Sequence, residues 1–249
     1  MLVTQNESIF LPSALDYFIR RALPCYEVQS CIILGRSSVG GASSFERLRR
    51  LWAIFGTYFV LRNVIVHVWK LLRGNSVEET ARFHGVPVIK LSENINSPES
   101  IDQLRTLGPD FIVNVAGSEI FRNELITLPK IATLNLHTSK LPEYKGMLPT
   151  FWVMLEDEEE TAVSVFIVDE GIDTGPVVVQ NPLRISGLSQ FELIRITKIM
   201  GMDAIIESVE YLARGGRIKQ SGESSQGSYY SFPKKSDVKR FRKNGKRFF

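Results

Sequence analysis

Two polar side chains with catalytic chemistry, Asn135 and His137, stand two residues apart in the segment IATLNLHTSKLPEYKG, residues 131–146. The apolar residues between them predict a buried strand, and side chains two apart on a strand project from one face. A carboxamide donates hydrogen bonds, and an imidazole moves protons near neutral pH. The pair therefore predicts a reaction centre at a strand end. The alternative is that both side chains are hydrogen-bonded structural groups.

An imidazole that relays protons needs a further group to hold its tautomer and stabilise its charged form. The best source is the acidic loop VDEGIDTG, residues 168–175, in which Gly171 and Gly175 permit tight turns. Asp169 and Asp173 both lie in this loop, and the residues alone leave both open. The alternative is a solvated turn.

The surrounding chain alternates between strand and helix patterns. Apolar strands are predicted over residues 2–4, 31–34, 110–115, 161–168 and 177–180, and helical patterns over 12–23, 77–84, 97–107 and 188–213. This order predicts an α/β fold with a doubly wound, mostly parallel sheet and helices on both faces. Ligands gather at strand-to-helix corners of such sheets, as at Ala116-Gly117-Ser118. The Gly/Ser-rich residues 36–44 lack dinucleotide-loop spacing and predict a loop.

Residues 45–73 are apolar and basic, with Glu46 as their only acid. The stretch is long enough to span a bilayer, but Arg62 interrupts its middle at a cost of ~2.5–3.5 kcal/mol. We therefore predict no transmembrane helix. Two interpretations remain: a pair of helices packed on the sheet or on a partner subunit, which we favour, and an interfacial element attracted to anionic lipid. His67 is interpreted as a partly buried structural histidine.

The composition is that of a folded protein, with 249 residues, 44% hydrophobic residues and a net charge of +3. Much of the positive charge is local, in residues 234–246. Cys25 and Cys31 have no CxxC pattern and no companion His, which predicts reduced thiols and no metal site. The N-terminal residues lack the pattern of a secretory signal, and we predict a cytoplasmic protein. We divide the chain into a catalytic domain, residues 1–220, and a basic C-terminal extension, residues 221–249.

At this point the motifs N-L-H-x-S-x-L-P-x-Y-x-G and V-D-E-G-I-D-T-G-P resemble those of the formyltransferase family, which formylates amines with N10-formyltetrahydrofolate. The resemblance is strong over about residues 110–184, thinner over residues 77–109, and closest to the sugar N-formyltransferases. It implies a Rossmann-like fold and a catalytic Asn, His and Asp at Asn135, His137 and Asp173. Asp173 is preferred over Asp169 because it directly precedes Thr-Gly. Asn135 would donate to the oxyanion, which is worth ~3–4 kcal/mol, and His137 would relay protons.

The resemblance also implies a folate slot lined by main chain from two loops. The residues predicted to line the slot are Ser118, Glu119, Ile120, Phe121, Val168, Asp169, Gly171 and Ile172. The acid at Glu119 departs from the family pattern. The residues predicted to shape the loop or touch substrate are Ser139, Pro142, Tyr144, Lys145 and Gly146.

The acceptor is predicted to be a small amine, most simply an amino sugar linked to a nucleotide. Residues 147–152 and the C-terminal extension resemble the sugar branch. The 66 residues after Leu183 are fewer than a tRNA-binding barrel would add, so nucleic acid is not favoured. The alternatives are glycinamide ribonucleotide, a charged tRNA, or a non-catalytic folate-binding or membrane-associated protein of the same fold. A homodimer stays open.

Overall fold

The structure is a computed structural model that describes residues 1–22, 25–35, 44–117, 119–218 and 227–249, with the side chains of Ser44 and Leu71 left out. The predicted loop over residues 36–44 therefore lies outside the described residues except for Ser44, and so does Ser118. The strands are β1 Leu2–Gln5, β2 Cys31–Leu34, β3 Val88–Ile89, β4 Phe111–Val115, β5 Ala132–His137, β6 Lys145–Gly146, β7 Glu160–Ile167, β8 Val177–Arg184 and β9 Tyr229–Tyr230. The helices are α1 Leu11–Ala22, α2 Ser44–Phe55, α3 Thr57–Leu72, α4 Val77–Phe83, α5 Pro98–Leu107, α6 Asn123–Ile126, α7 Pro149–Leu155, α8 Gln190–Ala213 and α9 Lys235–Lys243.

In the described part of the chain, seven strands form one sheet in the order β3-β2-β1-β4-β5-β7-β8. The strands from β3 to β5 pair in parallel, whereas β7 and β8 run antiparallel to β5 and to each other. The parallel strands end at a common edge, where their loops can share one site. The predicted α/β fold with a doubly wound, mostly parallel sheet is confirmed.

Helices cover both faces of the sheet, as the alternating pattern predicts. One apolar cluster joins strand residues to α1, α4 and α8 through Leu15, Val77 and Ile205. A second cluster joins the opposite face to α5 and α6 through Ile101 and Leu125. Helices α5 and α8 begin at serine caps: Ser97 caps α5, and Ser189 forms a capping box with Glu192 at the start of α8.

Residues 227–249 pack on the body of the protein. β9 pairs in parallel with β6, and Trp152 stacks on Tyr230 with a centroid distance of 4.7 Å. The indole of Trp152 also donates to the Ser231 carbonyl at 3.1 Å. The chain division at residue 220 stays a prediction, because residues 219–226 lie outside the described residues.

Residues 45–73 form a pair of helices, α2 and α3, broken at Gly56, which has a φ of +83°. They pack on the C-terminal segment rather than across the sheet. The ring centroids of Phe55 and Phe248 lie 5.8 Å apart, and Arg242 donates to the Phe55 carbonyl. In the described chain, no helix has the length and apolar character needed to cross a membrane.

Candidate active site

β5 carries Asn135 and His137 on one face of the sheet. Leu136 projects from the opposite face and closely approaches Gly201 of α8, where an added Cβ would come within 2.4 Å of its side chain. His137 is 6% exposed at the last position of the strand, opposite Ser164 of β7. The strand thus aims both polar side chains at the loops beyond the carboxyl edge of the sheet.

A chain of hydrogen bonds sets the orientation of the Asn135 carboxamide. The backbone N–H of Gly117 can only donate, and it donates to Oδ1 of Asn114 at 3.1 Å. The Nδ2 of Asn114 then donates to Oδ1 of Asn135 at 3.0 Å. The NH₂ end of Asn135 is therefore the end that can donate to a ligand. Sequence analysis missed Asn114, although its position in an apolar strand was a signal.

The tautomer of His137 is set by a backbone carbonyl. Its Nε2 lies 2.8 Å from the Tyr144 oxygen. Because a carbonyl only accepts, Nε2 carries the hydrogen, and the neutral imidazole has its basic nitrogen at Nδ1. Orientation of the ring therefore comes from the loop after β5 rather than from a carboxylate.

Asp173 lies beside the basic nitrogen of that imidazole. Its Oδ2 is 3.6 Å from Nδ1 of His137, and its side chain is 12% exposed. The same oxygen accepts a hydrogen bond from the Gly146 N–H at 2.8 Å. Asp173 has a φ of +53°, an unusual conformation for a residue with a side chain. The carboxylate therefore stands beside the ring nitrogen that would receive a transferred proton.

The other acid of the loop, Asp169, has a local role. Its Oδ1 accepts from the Gly171 N–H at 3.1 Å and from the Thr174 hydroxyl at 2.7 Å. These contacts close the turn that presents Asp173. Between the two acids, the one adjacent to His137 is therefore Asp173.

The loop after β5 is held by buried hydroxyl groups. Ser139 is fully buried and donates to the carbonyls of Glu143 and Tyr144 at 3.3 Å, so it lies out of reach of a ligand at the surface. Ser164 donates to the Ser139 carbonyl at 2.7 Å. Pro142, half-buried, follows a cis peptide in this loop and approaches Gly227.

Tyr144 and Lys145 are buried rather than presented to a ligand. The Tyr144 hydroxyl donates to Glu158 at 2.6 Å, and its ring stacks on Tyr230. The pKa of the Tyr144 phenol is raised, mainly by burial and to a smaller extent by this hydrogen bond. The phenol therefore stays protonated near neutral pH and does not act as a base. Lys145 is 6% exposed and lies in β6.

Gly146 connects the catalytic loop to the C-terminal segment. It has a φ of +95°, and a Cβ at this position would lie 2.2 Å from the Tyr230 carbonyl oxygen. Only glycine fits this approach without displacement. The pairing of β6 with β9 therefore holds the N–H that binds Asp173.

The first loop of the predicted folate slot is tied to the turn before α5. Glu119 accepts hydrogen bonds from the Asn94 side chain and, at 3.1 Å, from the Ile95 N–H. Asn96 donates to the Ile120 carbonyl at 2.9 Å and accepts from the Arg122 N–H at 2.8 Å. The unexplained acid at Glu119 thus anchors the loop. Ser118, predicted in the same slot, lies outside the described residues.

The remaining slot residues divide into a buried and an exposed set. Phe121 is buried, and Val168 packs against the same apolar cluster. Ile120 is 70% exposed and Ile172 is 46% exposed. The two loops thus meet through apolar contacts and leave aliphatic side chains and main chain at the surface. This set of groups suits a flat heteroaromatic ring that needs apolar faces and backbone hydrogen bonds.

Taken together, the fold and site define a class: a Rossmann-like α/β domain with an amide donor, an imidazole of fixed tautomer and a carboxylate at one sheet edge. Such groups serve transfer of an acyl-type carbon, in which an oxyanion develops and a proton moves. Among the described residues, no cluster of His, Cys, Asp or Glu is arranged to hold a metal ion.

Comparison with known proteins agrees with that class. Residues 75–194 match the family described as formyl transferase. A methionyl-tRNA formyltransferase from Geobacter sulfurreducens is 31% identical over 163 residues, which cover 65% of this chain and 51% of that protein. The residues that match this family make up just under half of the chain. The chain spans about half the length of the curated relatives it matches.

Solved structures share the fold at low sequence identity. An N-formyltransferase from Helicobacter canadensis, in complex with folinic acid and dTDP-3-aminofucose, has a TM-score of 0.55 at 18% identity. The match covers 92% of this chain and 70% of that one. Glycinamide ribonucleotide transformylase 1 from Symbiobacterium toebii has a TM-score of 0.57 at 16% identity, covering 86% and 87%.

Proposed function

We propose that this protein transfers a formyl group from N10-formyltetrahydrofolate to the amine of a small acceptor. The observation that carries the proposal is the environment of His137: Nε2 bound to the Tyr144 carbonyl, and Nδ1 3.6 Å from Asp173. This geometry leaves one basic nitrogen beside one carboxylate, on the strand face that also carries Asn135. The family match of residues 75–194 and the folate-bound state of a structural neighbour support the choice of donor.

Each side chain has a distinct part in the proposed reaction. Bound N10-formyltetrahydrofolate supplies the formyl group. Asn135 donates from Nδ2 to the formyl oxygen as negative charge develops there, worth ~3–4 kcal/mol in a shielded site. His137 accepts a proton at Nδ1 from the attacking amine. Asp173 stabilises the resulting imidazolium, and that proton is then available to the departing folate nitrogen.

We further propose that the two loops on either side of β5 form the folate site. Ile120 and Ile172 would contact the ring faces. The carbonyls of Gly117 and Gly171, whose N–H groups already bond to Asn114 and Asp169, would accept hydrogen bonds. Glu119 and Asp169 would act indirectly, because their carboxylates hold the loops themselves. The pterin ring is the part of the donor that these groups suit.

For the acceptor we propose a nucleotide-linked amino sugar. Tyr229 is 56% exposed and stands against Gly146, the residue whose N–H binds Asp173. An exposed aromatic ring beside the residue that binds Asp173 suits a nucleobase. The structural neighbour in complex with dTDP-3-aminofucose supports this class of substrate.

We also propose that the reaction takes place in the cytoplasm. The free thiols of Cys25 and Cys31 agree with a reducing compartment.

Methionyl-tRNA is the second candidate acceptor. It is favoured by one observation, the 31% identity to a methionyl-tRNA formyltransferase. Glycinamide ribonucleotide has the support of a shared fold alone.

The test is a direct comparison of acceptors. The protein would be incubated with N10-formyltetrahydrofolate and one acceptor at a time: a nucleotide-linked amino sugar, glycinamide ribonucleotide or methionyl-tRNA. Mass spectrometry would then detect the gain of one formyl group. We expect the gain on an amino sugar. Formylation of methionyl-tRNA alone would replace the sugar proposal with the second candidate, and folate binding without transfer to any acceptor would contradict the enzymatic proposal.

A further inference from the structure

The helix α3 has its polar side inward and its apolar side outward. Apart from Thr57 in the first turn, its exposed positions recur at the spacing of one helix face, and their side chains are large and apolar. We call them the α3 apolar face: Tyr58, Leu61, Val64, Ile65, Val68, Trp69 and Leu72, with exposures from 43% to 83%. A helix on a protein surface normally shows the reverse arrangement.

Three charged or polar side chains of α3 contact the rest of the protein. His67 shares a 2.5 Å hydrogen bond with Ser8, and Lys70 donates to the Ile9 carbonyl at 2.7 Å. The guanidinium of Arg62 lies 3.6 Å from the Phe249 ring centroid, and its Nη1 has no hydrogen-bond partner among the described residues. These inward contacts fix the rotation of α3 about its own axis. The apolar face must therefore point outward.

Helix α2 extends the same kind of surface and adds charge. Phe45 is 74% exposed and Trp52 is 49% exposed, while Arg49 and Arg50 are also exposed. At the far end of α3, the Arg73 guanidinium lies 4.0 Å over the Trp69 ring. Of the six basic side chains in residues 44–73, Arg49, Arg50 and Arg73 are exposed, whereas Arg62 and Lys70 make the inward contacts described above. Helices that lie in a membrane interface typically expose aliphatic, Trp and Tyr side chains beside Arg.

We propose that α2 and α3 bind the surface of an anionic lipid bilayer, with α3 lying in the plane of the interface. Charge decides between this occupant and a second copy of the chain. Two copies meeting at this surface would bring together the same basic side chains, whereas anionic lipid complements them. A bilayer also accepts a continuous uncharged face such as that of α3. The contacts to Ser8 and Ile9, just after β1, keep α3 at the same sheet edge as the candidate active site.

Co-sedimentation of the full chain with vesicles tests the proposal. Vesicles of phosphatidylcholine with about a third phosphatidylglycerol should pellet the protein at physiological salt, and pure phosphatidylcholine should pellet at least tenfold less. The variant Leu61→Ser/Ile65→Ser should lose at least tenfold of this binding. Its control, Phe83→Ser, removes another exposed aromatic side chain, 77% exposed at the end of α4, and should bind like the wild type.

A second pair of variants tests the charge. Arg49→Glu/Arg73→Glu should reduce pelleting with anionic vesicles, whereas Arg195→Glu/Arg217→Glu, the same change at exposed positions of α8 and the segment after it, should not. Light scattering of the free protein tests the competing occupant. A dimer that Leu61→Ser/Ile65→Ser dissociates, with no vesicle binding, would overturn the proposal in favour of self-association. Equal binding to neutral vesicles, or none to either, would also overturn it.

Discussion

His137 and Arg62 are both partly or fully buried polar side chains, but their surroundings differ. His137 has a carbonyl on one ring nitrogen and a carboxylate near the other, so its proton chemistry is defined. Arg62 lies between the rings of Phe191 and Phe249 and has a guanidinium nitrogen without a hydrogen bond in the described chain. At the candidate site, each ring nitrogen of His137 faces a polar group of the protein. In α3, the polar side chains point inward and the outer face is apolar.

The largest effect should come from removing either member of the proposed proton-transfer pair, His137 and Asp173. We expect His137→Ala or Asp173→Asn to lower formyl transfer by ~10²–10⁴-fold, because general acid–base catalysis is lost. Folate binding, measured by fluorescence titration, should stay within about tenfold, or 1.4 kcal/mol. The control His84→Ala removes a partly buried histidine bound to Asp16 instead, and it should keep activity. Full activity of either site variant would contradict the assignment.

The next effect concerns the support of Asp173. Gly146→Ala should lower the free energy of unfolding by about 2–3 kcal/mol, because the new Cβ would collide with the Tyr230 carbonyl and separate β6 from β9. Urea denaturation measures this change. Gly85→Ala is the matched control: Gly85 has a φ of +71° and nothing within 4 Å of its Cβ position, so it reports backbone strain alone. Equal losses in the two variants would mean that the β6–β9 contact contributes nothing.

A smaller effect is expected from Asn114, which acts through Asn135. Asn114→Ala removes the hydrogen bond that orients the Asn135 carboxamide, and we expect kcat to fall about tenfold, or 1.4 kcal/mol. The KM for the folate donor should change little, because the oxyanion contact forms as the reaction proceeds. Steady-state kinetics separate the two parameters. A change confined to KM would assign Asn114 to ligand binding instead.

The smallest effect should come from Arg62. Replacing a stacked guanidinium that has a buried nitrogen without a hydrogen bond by an apolar chain of similar length is often neutral or stabilising. We therefore expect Arg62→Met to change the free energy of unfolding by less than about 1 kcal/mol and to leave formyl transfer intact. A large loss of stability would show that the charge of Arg62 itself holds α3 in place.

Sequence patterns sufficed for the features that depend on nearby residues. Alternating strands and helices gave the α/β order, and the two-residue spacing on β5 put Asn135 and His137 on one face. The interpretation of residues 45–73 as a packed helix pair was right about the helices, but it did not foresee that the charged side would turn inward. Helical spacing reports a face, not the direction in which the face points.

Features that depend on distant residues were beyond the sequence. Asn114 meets Asn135 because β4 and β5 pair in parallel register, a contact across 21 positions. The pairing of β6 with β9 involves strands of two residues each, too short to leave a periodic signal. Glu119 was unexplained in the sequence because its partners, Asn94 and Ile95, belong to a separate turn.

The close approach of Gly146 to the Tyr230 carbonyl has an evolutionary consequence. Two positions 84 residues apart in sequence constrain each other, since a side chain at 146 is incompatible with a strand at 229–230. Lineages that keep this C-terminal strand should be unable to replace the glycine, and lineages that lose the strand should be released from that requirement. Inheritance at position 146 would therefore follow the presence of the strand more closely than the identity of the acceptor.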